Sequence, residues 1–238
     1  MAFLAALGLA PQVMAADAVE VRYDVYWGGF RAAEARLSNT QAALDLTARA
    51  TGLADSVSAF AMEAEAAPGR FQTHSRSKDM ESRLAVDFTG QPHTIIDEIR
   101  RTTPDDDEPR PPVPEDQKAG TVDPLHAITA ATQRILAARP GERFTVPVFD
   151  GRNRYDATVT VGGPARSEVS GRMIAGTRAS VEIKPLAGFR AKTRDLWDGA
   201  RFTVLVDPAT ALPARIVSDS FAIATVISAV SPVRQTGG

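Results

Sequence analysis

The 238-residue chain contains no cysteine. That excludes a disulfide framework, a thiolate metal site and a lipid-modified N-terminal cysteine, so core burial must supply the stability. Charge of either sign is nearly balanced: 27 Lys and Arg stand against 29 Asp and Glu, a formal net of −2. Without a broad basic field there is nothing to draw nucleic acid by long-range attraction, and no nucleic-acid partner is expected. Only three histidines occur, His74, His93 and His126. They lack metal-ligand spacing, so no metal site is predicted. A P-loop and a glycine-rich dinucleotide fingerprint are both missing; Gly28-Gly29 and Gly162-Gly163 are isolated pairs, and no cofactor is expected. No apolar run is long enough for a permanent transmembrane anchor.

What is present begins with "MAFLAALGLAPQVMAADA". An apolar run followed by small residues at Val13 and Ala15 is the pattern left by signal-peptidase cleavage, so residues 1–15 read as a signal peptide and 16–238 as the exported mature chain.

From about Val19 the sequence alternates apolar and polar residues with a period of two, as a strand with one dry and one wet face must. Val21, Tyr23, Val25 and Trp27 share a face. So do Leu44, Leu46, Ala48 and Ala50; Tyr155, Ala157, Val159 and Val161; Ala179, Val181 and Ile183; Phe202, Val204 and Val206; and Phe221, Ile223, Thr225 and Ile227. Turn signals separate the runs at Gly28-Gly29, Pro68-Gly69, Gly90-Gln91-Pro92, Asp150-Gly151, Gly162-Gly163-Pro164 and Asp207-Pro208. Short strands joined by tight turns predict an antiparallel meander.

Two stretches break the rhythm. In "LADSVSAFAMEA", Leu53, Val57 and Phe60 stand four and three apart, which predicts a short helix over 53–64. In "DPLHAITAATQRILAARPGE", Asp123 is the N-cap, Pro124 suits the first turn, and Leu125, Ile128, Thr132, Ile135 and Leu136 form an apolar stripe. That amphipathic helix needs a sheet to cover it. Between the halves, residues 102–120 are rich in proline and acid and read as an exposed loop or strap within one domain.

Candidate chemistry is sparse. Asp150-Gly151 reads as a hairpin turn, with glycine supplying positive φ and aspartate bonding the local backbone. Ser75 and Lys78 match the Ser-x-x-Lys of penicillin-binding enzymes, yet "RFQTHSRSKDMESRL" lacks the helical stripe that such a serine opens, and no Lys-Thr-Gly follows. Asp105-Asp106-Asp107-Glu108 lacks the spacing of a calcium loop. No catalytic residue is assigned. A sheet that curls round a helix encloses an apolar trough, and Trp27, Phe60, Phe149, Trp197 and Phe202 are large enough to line one.

Several motifs in order, "YDVYWGGFRAAEARL", "GLADSVSAFAMEAEAAPGRF", "DPLHAI", "VFDGRNRY", "PLAGF" and "LWDGARFTVLVDPATALPARI", resemble the bacterial domain of unknown function 3108 family. The resemblance covers about Val19 to Val230. It implies a mainly β fold, a strongly curved antiparallel sheet (a spiral or half-barrel) wrapped around the Asp123–Arg139 helix, in a Gram-negative periplasm, similar to the carriers that ferry lipoproteins. It carries over no catalytic residue. The reading is therefore a non-enzymatic envelope protein that binds an apolar small molecule, a lipid or an envelope protein on the concave face; a structural role in envelope integrity is the alternative, and a Ser75–Lys78 hydrolase a remote one.

Overall fold

The period-two stretches become strands in the computed structural model, which describes residues 18–40, 42–101, 110–220 and 224–235. The proposed signal peptide, the Asp105–Glu108 run, and Phe221 and Ile223 lie outside the described residues. The first half carries β1 (Ala18–Trp27), β2 (Phe30–Asn39), β3 (Leu44–Ala50), α1 (Gly52–Ser58), β4 (Ala61–Ala67), β5 (Arg70–Arg76), β6 (Glu81–Asp87) and β7 (Thr94–Arg101). The second carries α2 (Glu115–Lys118), α3 (Pro124–Ala137), β8 (Arg143–Phe149), β9 (Arg154–Val169), β10 (Arg172–Ala187), α4 (Ala191–Trp197), β11 (Arg201–Asp207), β12 (Leu212–Ser218) and β13 (Thr225–Gln235).

Every strand pairing is antiparallel, and the thirteen strands form one sheet in the order β7-β6-β5-β4-β3-β2-β1-β13-β12-β11-β10-β9-β8. This order is two meanders, each built from local hairpins, sewn together where β1 pairs with β13 from Ala18↔Gln235 to Trp27↔Thr225. The edges, β7 and β8, are not hydrogen-bonded to each other, so the sheet is not closed into a barrel.

Helix α3 is fixed locally at its start. Asp123 Oδ1 accepts hydrogen bonds from the backbone N–H of Leu125 at 2.9 Å and of His126 at 3.0 Å, with Pro124 in the first turn. These satisfy donors that a helix N-terminus otherwise leaves bare. Replacing Asp123 by alanine is expected to cost about 1 kcal/mol, measured by urea denaturation. The buried side chains of α3 then divide between two apolar clusters. Leu125 packs with Val86, Phe149 and Leu212, while Ile135 packs with Phe144, Val159, Ala179 and Val204. Accordingly α3 touches β3 and β4 of the first meander as well as β8, β10, β11 and β12 of the second.

Four sequence expectations change in the structure. The predicted helix over 53–64 stops at Ser58, where Ala59 turns left-handed at φ 47°, and "AMEAEAA" is strand β4. Its stripe does not face a core: Leu53 is 85% and Val57 78% exposed. Gly162-Gly163-Pro164 is not a turn. Strand β9 runs through it, Gly162 being the extra residue of a bulge between Val161↔Ala179 and Gly163↔Arg178, with Gly163 at φ 99°. A bulge needs the same glycine conformations as a turn, which is why composition alone misread it. Helices α2 and α4, with no buried residue between them, were not foreseen because neither carries an apolar stripe. Finally, residues 110–120 are not wholly an exposed loop: Val113 packs on the core, and the Lys118 ammonium lies 5.9 Å above the Phe149 ring.

Candidate functional site

One face of the second meander presents three apolar rows across the strands. Val146, Ala157 and Ile183 are cross-strand neighbours, as are Val159, Val181 and Phe202, and then Val204, Ile216 and Ile227. Such rows are the unit of side-chain packing on a pleated surface. Opposite them stand Ile128, Ala131 and Ile135 of α3, and Trp197 of α4 closes one flank, stacked on Phe202 with ring centroids 6.2 Å apart. Ile135 packs onto the sheet, and beside it the small side chains of Ala127, Ala131 and Ala157 leave space unfilled, a trough of about 560 Å³.

The polar groups lining it are Asp150, Asn153, Tyr155, Thr132 and Thr193. The first three belong to the β8–β9 hairpin. Asp150 Oδ1 accepts from the backbone N–H of Arg152 at 2.7 Å and of Asn153 at 2.6 Å, and Oδ2 accepts from Asn153 Nδ2 at 2.8 Å. Its carboxylate is thus committed to shaping the turn. Asn153 Oδ1 accepts from Arg110 Nη1, which also donates to the Gly188 carbonyl at 3.1 Å. Burial pushes the Arg110 guanidinium below its ordinary range; Asp150 opposes this, while Arg152, Arg100 and Arg190 add to it. Burial likewise raises the Tyr155 phenol, with Asp150 and Asp123 adding to the effect. The Tyr155 ring meets Phe189 edge-on at 6.4 Å.

The same hairpin reaches the far end of the strand order. Arg152 donates from Nε to Glu98 Oε1 of β7 at 2.8 Å and from Nη1 to Ser82 Oγ of β6 at 2.6 Å. Gly151, at φ 92°, lies against Leu84 and Val86 of β6.

Of the five rings chosen from the sequence, the structure brings Trp197 and Phe202 together in the trough. Phe149 is 0% exposed and belongs to the core. Phe60 is half-buried between α1 and β4. Trp27 is 54% exposed beside Phe30 at the tip of the β1–β2 hairpin, where the extra residue of the irregularity is Ala32 on β2. The trough residues that sequence reasoning missed as contacts are Tyr155, Asn153 and Phe189; the first two sit in the quoted "VFDGRNRY" run and were read only as strand and turn. Ser75 lies in strand β5 rather than opening a helix, and Lys78 is in the turn that follows. His74 pairs with Glu81, His93 sits buried between the Gly90 and Thr121 carbonyls, and His126 bonds Asp123, each on a different element. Among the described residues no group of three or more His, Asp or Glu is placed to hold a metal ion, and no helix is long and apolar enough to cross a membrane.

The fold and trough place the chain among mainly β proteins built on one open antiparallel sheet with a single long helix. Within that class it belongs to the family described as "Protein of unknown function (DUF3108)", whose match spans residues 22–197. A solved beta-barrel-like protein of the domain of unknown function DUF1849 from Brucella abortus is similar over 92% of this chain and 98% of its own, at 10% identity and a TM-score of 0.56. The hypothetical lipoprotein YmcC from Escherichia coli aligns over 92% of this chain and 86% of its own, at 15% identity and a TM-score of 0.40. None of the curated proteins matches the chain.

Proposed function

We propose that this protein is a non-enzymatic binding protein of the Gram-negative periplasm whose trough takes a lipid chain. The observation that carries the reading is the trough itself, about 560 Å³ walled by aliphatic and aromatic side chains from α3, α4 and six strands. Transferring a chain from water into such a space is favourable by about 0.8 kcal/mol per methylene, and the walls offer little else to recognise. Curvature of the sheet round α3 accounts for the helix touching both meanders and for the β8–β9 hairpin resting on β6. The β1–β13 seam supports treating 16–238 as one folding unit, and the apolar start with Val13 and Ala15 supports export. Ser75 on strand β5, and not at the start of a helix, supports binding over hydrolysis.

Titration with the fluorescent fatty acid cis-parinaric acid tests the reading. Saturable one-to-one binding is expected, together with lipid in organic extracts of the purified protein. A flat titration and a clean extract would remove it. A role as an envelope interaction protein draws on one other observation: Trp27, Phe30, Leu53 and Val57 are all strongly exposed on the β1–β2 hairpin and on α1, which packs against β2. It would gain if Phe30→Ser impaired envelope integrity while parinaric acid binding stayed intact.

A further inference from the structure

The sheet has two edges, and they are built differently. β8 is blunted: Phe149 N–H donates to the Val122 carbonyl and Val122 N–H to the Pro147 carbonyl, so Val122 already lies along it. Pro147 has no N–H to offer on that outward side. β7 has no strand beyond it among the described residues, and its Ile95, Ile96 and Ile99 are exposed. A bare edge with apolar side chains is a template for another strand.

The regular part of β7 is short. An irregularity leaves Ile96 as an extra residue, so unbroken pairing with β6 runs from Ala85↔Asp97 to Glu81↔Arg101. Its sequence, Asp97-Glu98-Ile99-Arg100-Arg101, carries both signs of charge in a particular order. When two copies of one strand pair antiparallel about a two-fold axis, the same residues point N–H and C=O outward in both, and opposed residues must match in that respect. The axis therefore passes through a residue. An axis at Asp97, Glu98, Arg100 or Arg101 sets that charge against its own copy, which destabilises the pair. With the axis at Ile99, Asp97 faces Arg101, Glu98 faces Arg100, and the two isoleucines meet.

We propose that β7 is a dimerisation edge whose partner is the β7 strand of a second copy, in the register that places Ile99 on the axis. The sheet of one protomer then continues into that of its partner. The exposed Asp97, and Arg101, whose side chain is 77% exposed and 3.7 Å from Glu81, form the outer pair. Glu98 also holds Arg152 of its own chain, so the outer pair is the one to perturb. Nothing in this depends on what fills the trough.

Sedimentation equilibrium tests it on the full chain, on Asp97→Arg, on Arg101→Asp and on an equimolar mixture of the two variants, with circular dichroism verifying the fold. The wild-type chain should show a concentration-dependent monomer–dimer equilibrium. Each variant alone opposes like charges at the outer positions, and its dimer should dissociate about tenfold more readily. In the mixture the heterodimer sets the new arginine against the new aspartate and Arg101 against Asp97, so the wild-type constant should return. A charge effect confined to one chain's own fold is not rescued by mixing. Because the chain has no cysteine, Ile99→Cys gives a second readout. Opposed Cα atoms about 4.5–5.5 Å apart lie within disulfide range, so oxidation should link two copies there. Met173→Cys, exposed at the start of β10, should link far more slowly. A monomer at all concentrations overturns the proposal, and slow hydrogen exchange at 97–101 in that monomer would assign the edge to residues 102–109 instead. A dimer indifferent to the charge reversals, or one that links no faster through Ile99→Cys than through Met173→Cys, places the interface elsewhere and overturns it too.

Discussion

Gly151→Ala is expected to destabilise the protein by about 3 kcal/mol, lowering the thermal midpoint by about 6–12 °C for a chain of this size. Two costs combine. The backbone at Gly151 has φ 92°, a region that L side chains rarely adopt. An added Cβ would also stand 2.5 Å from Leu84 Cδ2 and 2.7 Å from Val86 Cγ2, both on buried residues that cannot swing away. Gly171 in the β9–β10 hairpin separates the terms, since it has φ 75° and nothing within 4 Å of a Cβ. Gly171→Ala should therefore lose only about 1 kcal/mol, the conformational part alone. Equal midpoints for the two variants would show that the β8–β9 hairpin does not rest on β6. Because Asp150, Asn153 and Tyr155 ride on that hairpin, Gly151→Ala should also loosen ligand binding, whereas Gly171→Ala should not.

The contrast between those two glycines marks how much was legible in the sequence. Period-two alternation showed which residues of β3, β9 and β10 share a face, and local turn chemistry placed the hairpins at Gly28-Gly29 and Asp150-Gly151. Both signals are local. Nothing local distinguishes a turn glycine from the bulge at Gly162, and nothing in "VRYDVYW" announces that its alternation runs out to an exposed hairpin tip at Trp27. Short-range spacing also misled at Leu53 and Val57, where a helix of two turns forms with its apolar residues exposed. The pairing of β1 with β13 joins residues about 200 positions apart, and no pattern within either strand names its partner. That seam places the apolar rows of β11 to β13 beside the first meander, and the trough depends on it.

Ala131→Trp tests whether the space between α3 and the sheet is a seat for a chain. Ala131 faces the trough from the middle of α3, and its small side chain leaves part of the space there unfilled. An indole there would take up roughly a quarter of the 560 Å³. A long ligand would then lose contact along about four methylenes, worth about 3 kcal/mol, so hexadecanoic acid should bind on the order of a hundredfold more weakly. Octanoic acid, short enough to fit the part of the trough left open, should change by less than about threefold. Stability supplies the control: a side chain entering vacant space should leave the thermal midpoint nearly unmoved, whereas forcing it into a packed core would cost about 1–3 kcal/mol. A destabilised variant with equal losses for both acids would mean that the walls meet in solution and that the trough is core. A stable variant that discriminates by chain length would locate the ligand along α3.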